Sequence, residues 1–80
     1  MGKYDPLYER LARAAGEKLT LTFGQIDELV QGLPPSARKH QAWWNNESAG
    51  SHIQARAWMG AGWTVDEVDR RAERVTFRRA

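Results

Sequence analysis

The spacing of hydrophobic positions along the chain changes several times between helical and strand-like. After Asp5-Pro6, Leu7 and Leu11 recur at helical spacing until Gly16. Aspartate accepts hydrogen bonds from the free amides at a helix start, and proline is tolerated there because its missing N–H would be unpaired. This pattern predicts a first helix that begins at Asp5-Pro6 and ends at Gly16.

A short strand and a second helix follow. Leu19 and Leu21 alternate with threonines, which predicts a half-buried strand over residues 19–22. Thr22 and Gln25 have the spacing of a capping box, in which each side chain bonds the other residue's backbone amide. An apolar stripe of Ile26, Leu29 and Val30 then predicts a second helix that ends near Gly32.

The centre of the chain predicts two more helices. Residues 36–44 follow a Leu-Pro-Pro break and can form a short helix, because Pro35 suits a first turn. After the polar loop 45–50, residues 51–59 predict a helix capped by Ser48 or Ser51 and ended by glycines. We assign its two faces from the bulky aromatic: Ser51, Ala55, Trp58 and Met59 to the core, and His52, Ile53, Gln54, Arg56 and Ala57 to the exposed side.

The tail fits two patterns. Residues 65–74 have valines at helical spacing after a Thr64–Glu67 capping box, which is typical of a helix. Residues 63–65 and 75–77 alternate instead as strands, joined by the charged segment 69–73, with a bulge at Val68. We favour the hairpin.

The order of predicted elements resembles a winged helix. It implies a single small α+β domain over residues 1–80, with three to four helices and a small antiparallel sheet. The chain departs from a helix-turn-helix in one respect, since Gly32 to Gly50 is far longer than a turn of about three to four residues. Either residues 36–44 form the supporting helix and 51–59 the reading helix, or the domain docks differently.

Several longer motifs carry a second, more specific resemblance: GKYDPLY at 2–8, LTF at 21–23, LPPSAR at 33–38, AWW at 42–44, QARAW at 54–58, GW at 62–63 and VTFR at 75–78. Together with His40, these motifs resemble a family of small bacterial domains of unknown function. The resemblance covers nearly the whole chain. It implies one complete domain and a strand-like tail, and it implies no activity.

Composition and charge narrow the possible functions. With 80 residues and no cysteine, the chain needs its four Trp, two Tyr and two Phe for a core. We therefore expect Trp58 and Trp63 to be buried and one of the adjacent Trp43 and Trp44 to be partly exposed. Residues 36–80 carry eight basic and five acidic side chains, mostly arginines on the basic side, which favours an anionic partner. No signal peptide or membrane span is predicted, so we expect a cytoplasmic protein without a membrane partner.

Three groups of side chains are candidate nucleic-acid contacts. One group flanks the predicted helix start at residue 36, where amides and basic side chains together can clamp phosphate. A second lies in the first turns of the predicted reading helix, facing base edges. The third is the hairpin tip, from which a wing reaches phosphate or the minor groove. The groups are, in that order, Arg38, Lys39 and His40; His52, Gln54 and Arg56; and Arg70 and Arg71. Asp69 and Glu73 can instead pair with the tip arginines.

No residue pattern indicates an enzyme. The chain has no Ser-His-Asp set, no phosphate-binding glycine loop and no paired carboxylates. His40, Asn45 or Asn46, and His52 lie too close together for a ββα metal nuclease. We therefore expect no catalysis, cofactor or metal, and we expect nucleic-acid binding, with duplex DNA favoured, in a transcriptional or mobile-element regulator. The alternative is a protein-interaction adaptor of a phage, defence or toxin-associated system that docks through the Pro-Pro loop and the Trp43-Trp44 pair.

Overall fold

Helices cover one face of a three-stranded antiparallel sheet in the computed structural model, which describes residues 2–47 and 53–80. This confirms the α+β class. The helices in those ranges are α1 (Asp5–Ala12), α2 (Phe23–Val30), α3 (Pro35–Lys39) and α4 (Ala55–Gly60), with a 3₁₀ helix at Gln41–Trp44. The strands are β1 (Lys18–Thr22), β2 (Trp63–Asp69) and β3 (Arg74–Arg79). None of these helices is long and apolar enough to cross a membrane.

The tail is a β-hairpin, and β3 lies in the middle of the sheet, in the order β1-β3-β2. The alternative prediction of a helix over residues 65–74 is wrong. A bulge between Val65 and Glu67 inserts one extra residue, so that Val65 and Val68 both pack towards the core although they are three positions apart. That spacing imitates a helix. The bulge lies at Asp66 and not at Val68, which pairs directly with Val75.

Aromatic rings stack through the middle of the core. Trp44 lies between Phe23, at a centroid distance of 5.3 Å, and Trp58, at 5.9 Å. Trp58 in turn contacts Phe77 of the central strand at 6.0 Å. Trp58 and Trp63 are fully buried, as predicted. Trp44 is also buried and Trp43 is half-buried, which confirms that the adjacent pair divides between core and surface.

The first two helices begin differently, with a side-chain cap at α2 and none at α1. The predicted capping box of α2 is present, with the Gln25 amide donating to Oγ1 of Thr22 at 3.0 Å and the Thr22 amide donating to Oε1 of Gln25 at 2.8 Å. Asp5 does not cap α1 with its side chain and instead accepts the Gly2 amide at 2.9 Å. The first helix ends at Ala12, earlier than the predicted stop at Gly16.

The helix predicted over residues 36–44 is two pieces. His40 has an extended backbone, with φ −126° and ψ 119°, and separates α3 from the 3₁₀ helix. The break turns Trp44 back onto α3, where its indole N–H donates to the Ala37 carbonyl at 2.8 Å. The helix predicted over 51–59 spans Ala55–Gly60, with Gln54 at its N-cap position and no side-chain cap. The predicted caps Ser48 and Ser51 lie outside the described residues.

Candidate nucleic-acid interface

The C-terminal end of α3 lies against the turn of the β2–β3 hairpin. Nη1 of Arg70 donates to the Lys39 carbonyl at 2.6 Å. Nη1 of Arg38 donates to Oε2 of Glu73 at 2.7 Å. These two contacts join segments that are more than thirty positions apart in the sequence. They bring together two of the three groups that the sequence proposes as nucleic-acid contacts.

Hydrogen bonds to backbone amides hold the hairpin turn itself in place. Oδ1 of Asp69 accepts the Ala72 amide at 2.9 Å, which is how aspartate commonly stabilises a turn. Glu73 has φ 56°, the left-handed conformation that closes the turn before β3 begins. The Glu73 carbonyl accepts the amide of Phe23, the first residue of α2, at 2.8 Å. The turn is therefore held by its own aspartate and by the start of α2.

We call the four exposed basic residues at this junction the α3–hairpin cluster: Arg38, Lys39, Arg70 and Arg71. Arg38 is paired with Glu73, and its guanidinium lies 5.7 Å from the centroid of the buried Phe23 ring. Within the described part of the chain, no hydrogen bond or ion pair holds the side chains of Lys39 and Arg71. Their charges are therefore available to a ligand, and His40 is exposed beside them.

Two details of the predicted contacts at this junction are wrong. Arg38 and Lys39 lie in the last turn of α3 and not at a helix start, because the chain enters the helix at Pro35 and leaves it at Lys39. Helix N-terminal amides therefore do not assist them. Asp69 and Glu73 do not pair with Arg70 and Arg71, because Asp69 caps the turn and Glu73 reaches across to α3.

The predicted reading helix has a different exposed face. Gln54 is only 5% exposed, and its Nε2 donates to the Trp43 carbonyl at 2.8 Å, so the prediction that it lies on an exposed face is wrong. Ala57 is buried as well. Because α4 packs against both α1 and β2, its buried stripe is wider than the sequence pattern indicates. Arg56 and Ile53 are exposed as predicted, and His52 lies outside the described residues.

Arg56 lines a separate groove between the N-terminal segment, α1 and α4, with a volume of about 400 Å³. The large hydrophobic side chains that are exposed in the described ranges, Tyr8 at 43% and Ile53 at 56%, both line it. Lys3 and Tyr4 complete one wall. Burial raises the pKa of the Tyr4 phenol, whose ring contacts Trp43 edge-on. None of the α3–hairpin cluster lines this groove.

The Trp43-Trp44 pair does not form the exposed docking patch that the adaptor hypothesis requires. Trp44 is 2% exposed, and Trp43 packs on Trp44 at a centroid distance of 4.6 Å. A chain this short needs both rings for its core. What remains at the surface of the predicted adaptor patch is the half-buried Trp43 and the Pro34-Pro35 segment, of which Pro35 is exposed.

Comparison with known protein families gives a match over nearly the whole chain. A family model with the description Domain of unknown function (DUF7662) matches residues 4–80. No curated protein and no solved structure matches the chain.

Proposed function

We propose that this chain, which belongs to the DUF7662 family of domains of unknown function, binds nucleic acid through the α3–hairpin cluster, with duplex DNA as the preferred form. The observation that carries the proposal is the convergence of Arg38, Lys39, Arg70 and Arg71 at one exposed junction. Phosphate contacts by arginine and lysine provide most of the affinity in nonspecific binding to DNA. Such a domain would serve in the regulation of transcription or of a mobile element.

The arrangement around the cluster supports a winged-helix-like docking mode. Helix α2 ends at Val30 and α3 begins at Pro35, so the intervening segment Gln31–Pro34 has the length of a helix-turn-helix turn and contains Gly32. In this interpretation α3 is the second helix of the motif, in place of the predicted helix at 51–59. The hairpin turn beside α3 then takes the place of the wing.

The short length of α3 limits what it can read. Five residues rise only about 7.5 Å along a helix axis, so few side chains can enter a groove. Phosphate contacts position a protein on DNA without carrying sequence information. We therefore expect similar affinities for duplexes of unrelated sequence.

The aromatic residues favour a duplex over a single strand. Proteins that bind single strands stack bases on exposed aromatic rings. Phe23, the ring beside Arg38, is fully buried, and Trp44, Trp58 and Trp63 are buried as well. Among the described residues the exposed ring beside the cluster is the His40 imidazole, and no exposed Phe, Tyr or Trp ring is found there, so phosphate contact is the main mode.

The experiment compares two double variants with the same loss of charge. Lys39→Ala with Arg71→Ala removes the two unpaired cations of the cluster. Arg13→Ala with Lys18→Ala removes one arginine and one lysine at the opposite end of the hairpin, where Arg79 bonds the Ala14 carbonyl. The five steps along β3 from Arg74 to Arg79 separate the two ends by roughly 17 Å, at about 3.3 Å per residue.

Fluorescence anisotropy with a labelled duplex across a salt series provides the measurement. We expect binding by the parent that weakens steeply with salt, and a salt slope smaller by about 1.8 in the cluster variant, since each lost phosphate contact contributes about 0.9. The control variant should retain most of the affinity. Equal losses in the two variants, or no binding by the parent at about 50 mM salt, would contradict the proposal.

A protein-interaction adaptor is the second candidate, and the groove beside α1 and α4 favours it. Tyr8 and Ile53 are the kind of exposed apolar contacts that mark interaction sites. Arg56 lies beside them, whereas Lys3 bonds the Val30 carbonyl and Asp5 adds one carboxylate to the lining. A docked peptide would then carry an apolar side chain next to a carboxylate. Capture of one stoichiometric protein partner that Ile53→Asp abolishes and Lys39→Ala does not, without retention of DNA, would favour this candidate.

A further inference from the structure

We propose that the carboxylate of Glu73 occupies the phosphate position at Arg38 in the free protein, and that nucleic acid displaces it on binding. The inference rests on the proposed function and deepens it, because it names how the site exchanges one anion for another. Glu73 would then set the affinity of the α3–hairpin cluster by competing with the ligand for Arg38.

Glu73 stands at a position of the turn that does not require a glutamate side chain. Its backbone has a φ of 56°, a left-handed conformation that glycine and asparagine adopt readily. Bulky and β-branched residues rarely adopt it. The backbone of the turn therefore gives no reason for glutamate. Its carbonyl bond to the Phe23 amide would form with any residue at this position. What glutamate adds is the carboxylate, which reaches Arg38 at 2.7 Å.

Arg38 is held by an aromatic ring and a carboxylate. Its guanidinium lies against the Phe23 ring on one side and meets the Glu73 carboxylate on the other. Carboxylate and phosphate oxygens are alternative partners for the same planar set of N–H donors. An arginine held in this way is already oriented towards an anion at the position that Glu73 now fills.

Both side chains of the Arg38–Glu73 pair are accessible to solvent. The side chain of Arg38 is 39% exposed and that of Glu73 is 55% exposed, so the pair can open without disturbing the core. Exposed ion pairs contribute little to stability because water screens them and the side chains lose freedom. A phosphate of the duplex, held nearby by Lys39, Arg70 and Arg71, can therefore compete with the carboxylate.

The experiment measures duplex affinity in Glu73→Gln, which keeps the side-chain size and removes its charge. We expect binding about two- to fivefold tighter than in the parent, the range that corresponds to an exposed ion pair. Glu17→Gln is the matched control, because the Glu17 side chain is an exposed carboxylate at the far end of the hairpin. The backbone carbonyl of Glu17 accepts the Arg79 amide there. At roughly 17 Å, beyond the Debye length of about 10 Å at 0.1 M salt, removal of the Glu17 charge should leave the affinity nearly unchanged.

A second background separates displacement from a general gain in charge. In Arg38→Ala, the change Glu73→Gln should no longer improve binding, because there is no guanidinium to release. Glu73→Asn gives an independent variant, since asparagine adopts the left-handed conformation readily. Circular dichroism melts of all variants confirm that each one folds.

The outcomes distinguish this inference from the proposed function. If the parent binds and the Lys39 and Arg71 changes weaken it, the function stands whatever Glu73 does. Weaker binding in Glu73→Gln and Glu73→Asn would show that the carboxylate positions Arg38 and does not compete with phosphate, which would overturn the inference. An increase in duplex affinity no larger than that of Glu17→Gln would overturn the inference as well. If the parent does not bind the duplex at all, both the proposed function and the inference fail.

Discussion

Trp58 donates its indole N–H to Oδ1 of Asn46 at 2.9 Å, and the same oxygen accepts the Val65 amide at 2.8 Å. Nδ2 of Asn46 returns a hydrogen bond to the Val65 carbonyl at 3.0 Å. One amide side chain therefore pairs with the edge of β2 as a neighbouring strand would, and also provides a partner for a buried indole. It ties together the segment after the 3₁₀ helix, α4 and the hairpin.

This role predicts that Asn46→Ala lowers the free energy of unfolding by about 1–3 kcal/mol, because the Trp58 N–H loses its partner. Urea denaturation at constant pH measures the effect. Asn45→Ala is the matched control, since within the described residues its side chain makes a single long contact, 3.4 Å to Glu47. We expect a change of less than about 0.5 kcal/mol there. Similar losses in the two variants would contradict the special role of Asn46.

Trp58 itself should be critical for folding. It is fully buried between Trp44 and Phe77, so Trp58→Ala removes a large ring from a small core. We expect the free energy of unfolding to fall by about 3–5 kcal/mol, which is comparable with the total stability of many small domains. Thermal melts followed by circular dichroism measure it. A soluble variant with a melting midpoint close to that of the parent would show that the core does not depend on this ring.

Gln54 should affect stability and not binding. Its Nε2 donates to the Trp43 carbonyl at 2.8 Å in a buried position, so Gln54→Ala leaves that carbonyl without this donor. We expect a loss of about 1–3 kcal/mol in the free energy of unfolding. The exposed Gln41 provides the control, because Gln41→Ala should be nearly neutral. A folded Gln54→Ala variant with parental stability and altered preference among DNA sequences would restore the base-reading hypothesis.

Arg79 is a structural arginine, unlike the cluster residues. Its guanidinium lies 4.2 Å from the centroid of the Trp63 ring and donates to the carbonyls of Ala14 at 3.0 Å and Gly16 at 3.2 Å. Arg79→Ala should therefore lower the free energy of unfolding by about 1–3 kcal/mol. Arg79→Lys should recover only part of this, because an ammonium lacks the planar set of donors. Arg78, exposed and 3.9 Å from Asp66, is the control whose replacement by alanine should change stability little.

Local rules predict the elements of this fold better than they predict its faces. The capping box of α2 and the alternation of Leu19 and Leu21 depend on neighbouring residues, and both appear in the structure. The bulge at Asp66 is different, because it depends on pairing with β3 and changes which residues face inward. A spacing of three between Val65 and Val68 therefore fits a helix in the sequence and a bulged strand in the structure.

The candidate interface was only partly predictable for the same reason. The residue types Arg38, Lys39, Arg70 and Arg71 point to an anionic ligand, but their meeting depends on contacts across more than thirty positions. The burial of Gln54 depends on the Trp43 carbonyl, which comes within reach only after the chain breaks at His40. Patterns along one helix do not contain that information.

The last prediction concerns the separate roles of the two arginines in the hairpin turn. Arg71→Ala removes an unpaired cation, so binding should weaken similarly for all duplex sequences and the salt slope should fall by about 0.9, with no change in stability. Arg70→Ala should weaken binding more, because it also removes the 2.6 Å bond that holds the turn to the Lys39 carbonyl. Faster hydrogen exchange in the turn of this variant would show the loosened junction.

Arg56→Ala is the control for this pair, because Arg56 is an exposed arginine that faces the groove beside α1 and not the α3–hairpin cluster. Arg56→Ala removes the same charge as Arg71→Ala. Any difference in duplex affinity between the two variants therefore depends on where the lost charge lies on the domain. We expect the affinity and salt slope of Arg56→Ala to remain close to those of the parent. If Arg56→Ala weakens duplex binding as much as Arg71→Ala does, the loss reflects the net charge of the domain and not a contact at the hairpin turn. If neither change alters binding, the turn arginines have no wing role, and the proposed adaptor function of the groove beside α1 and α4 becomes the better explanation for this domain.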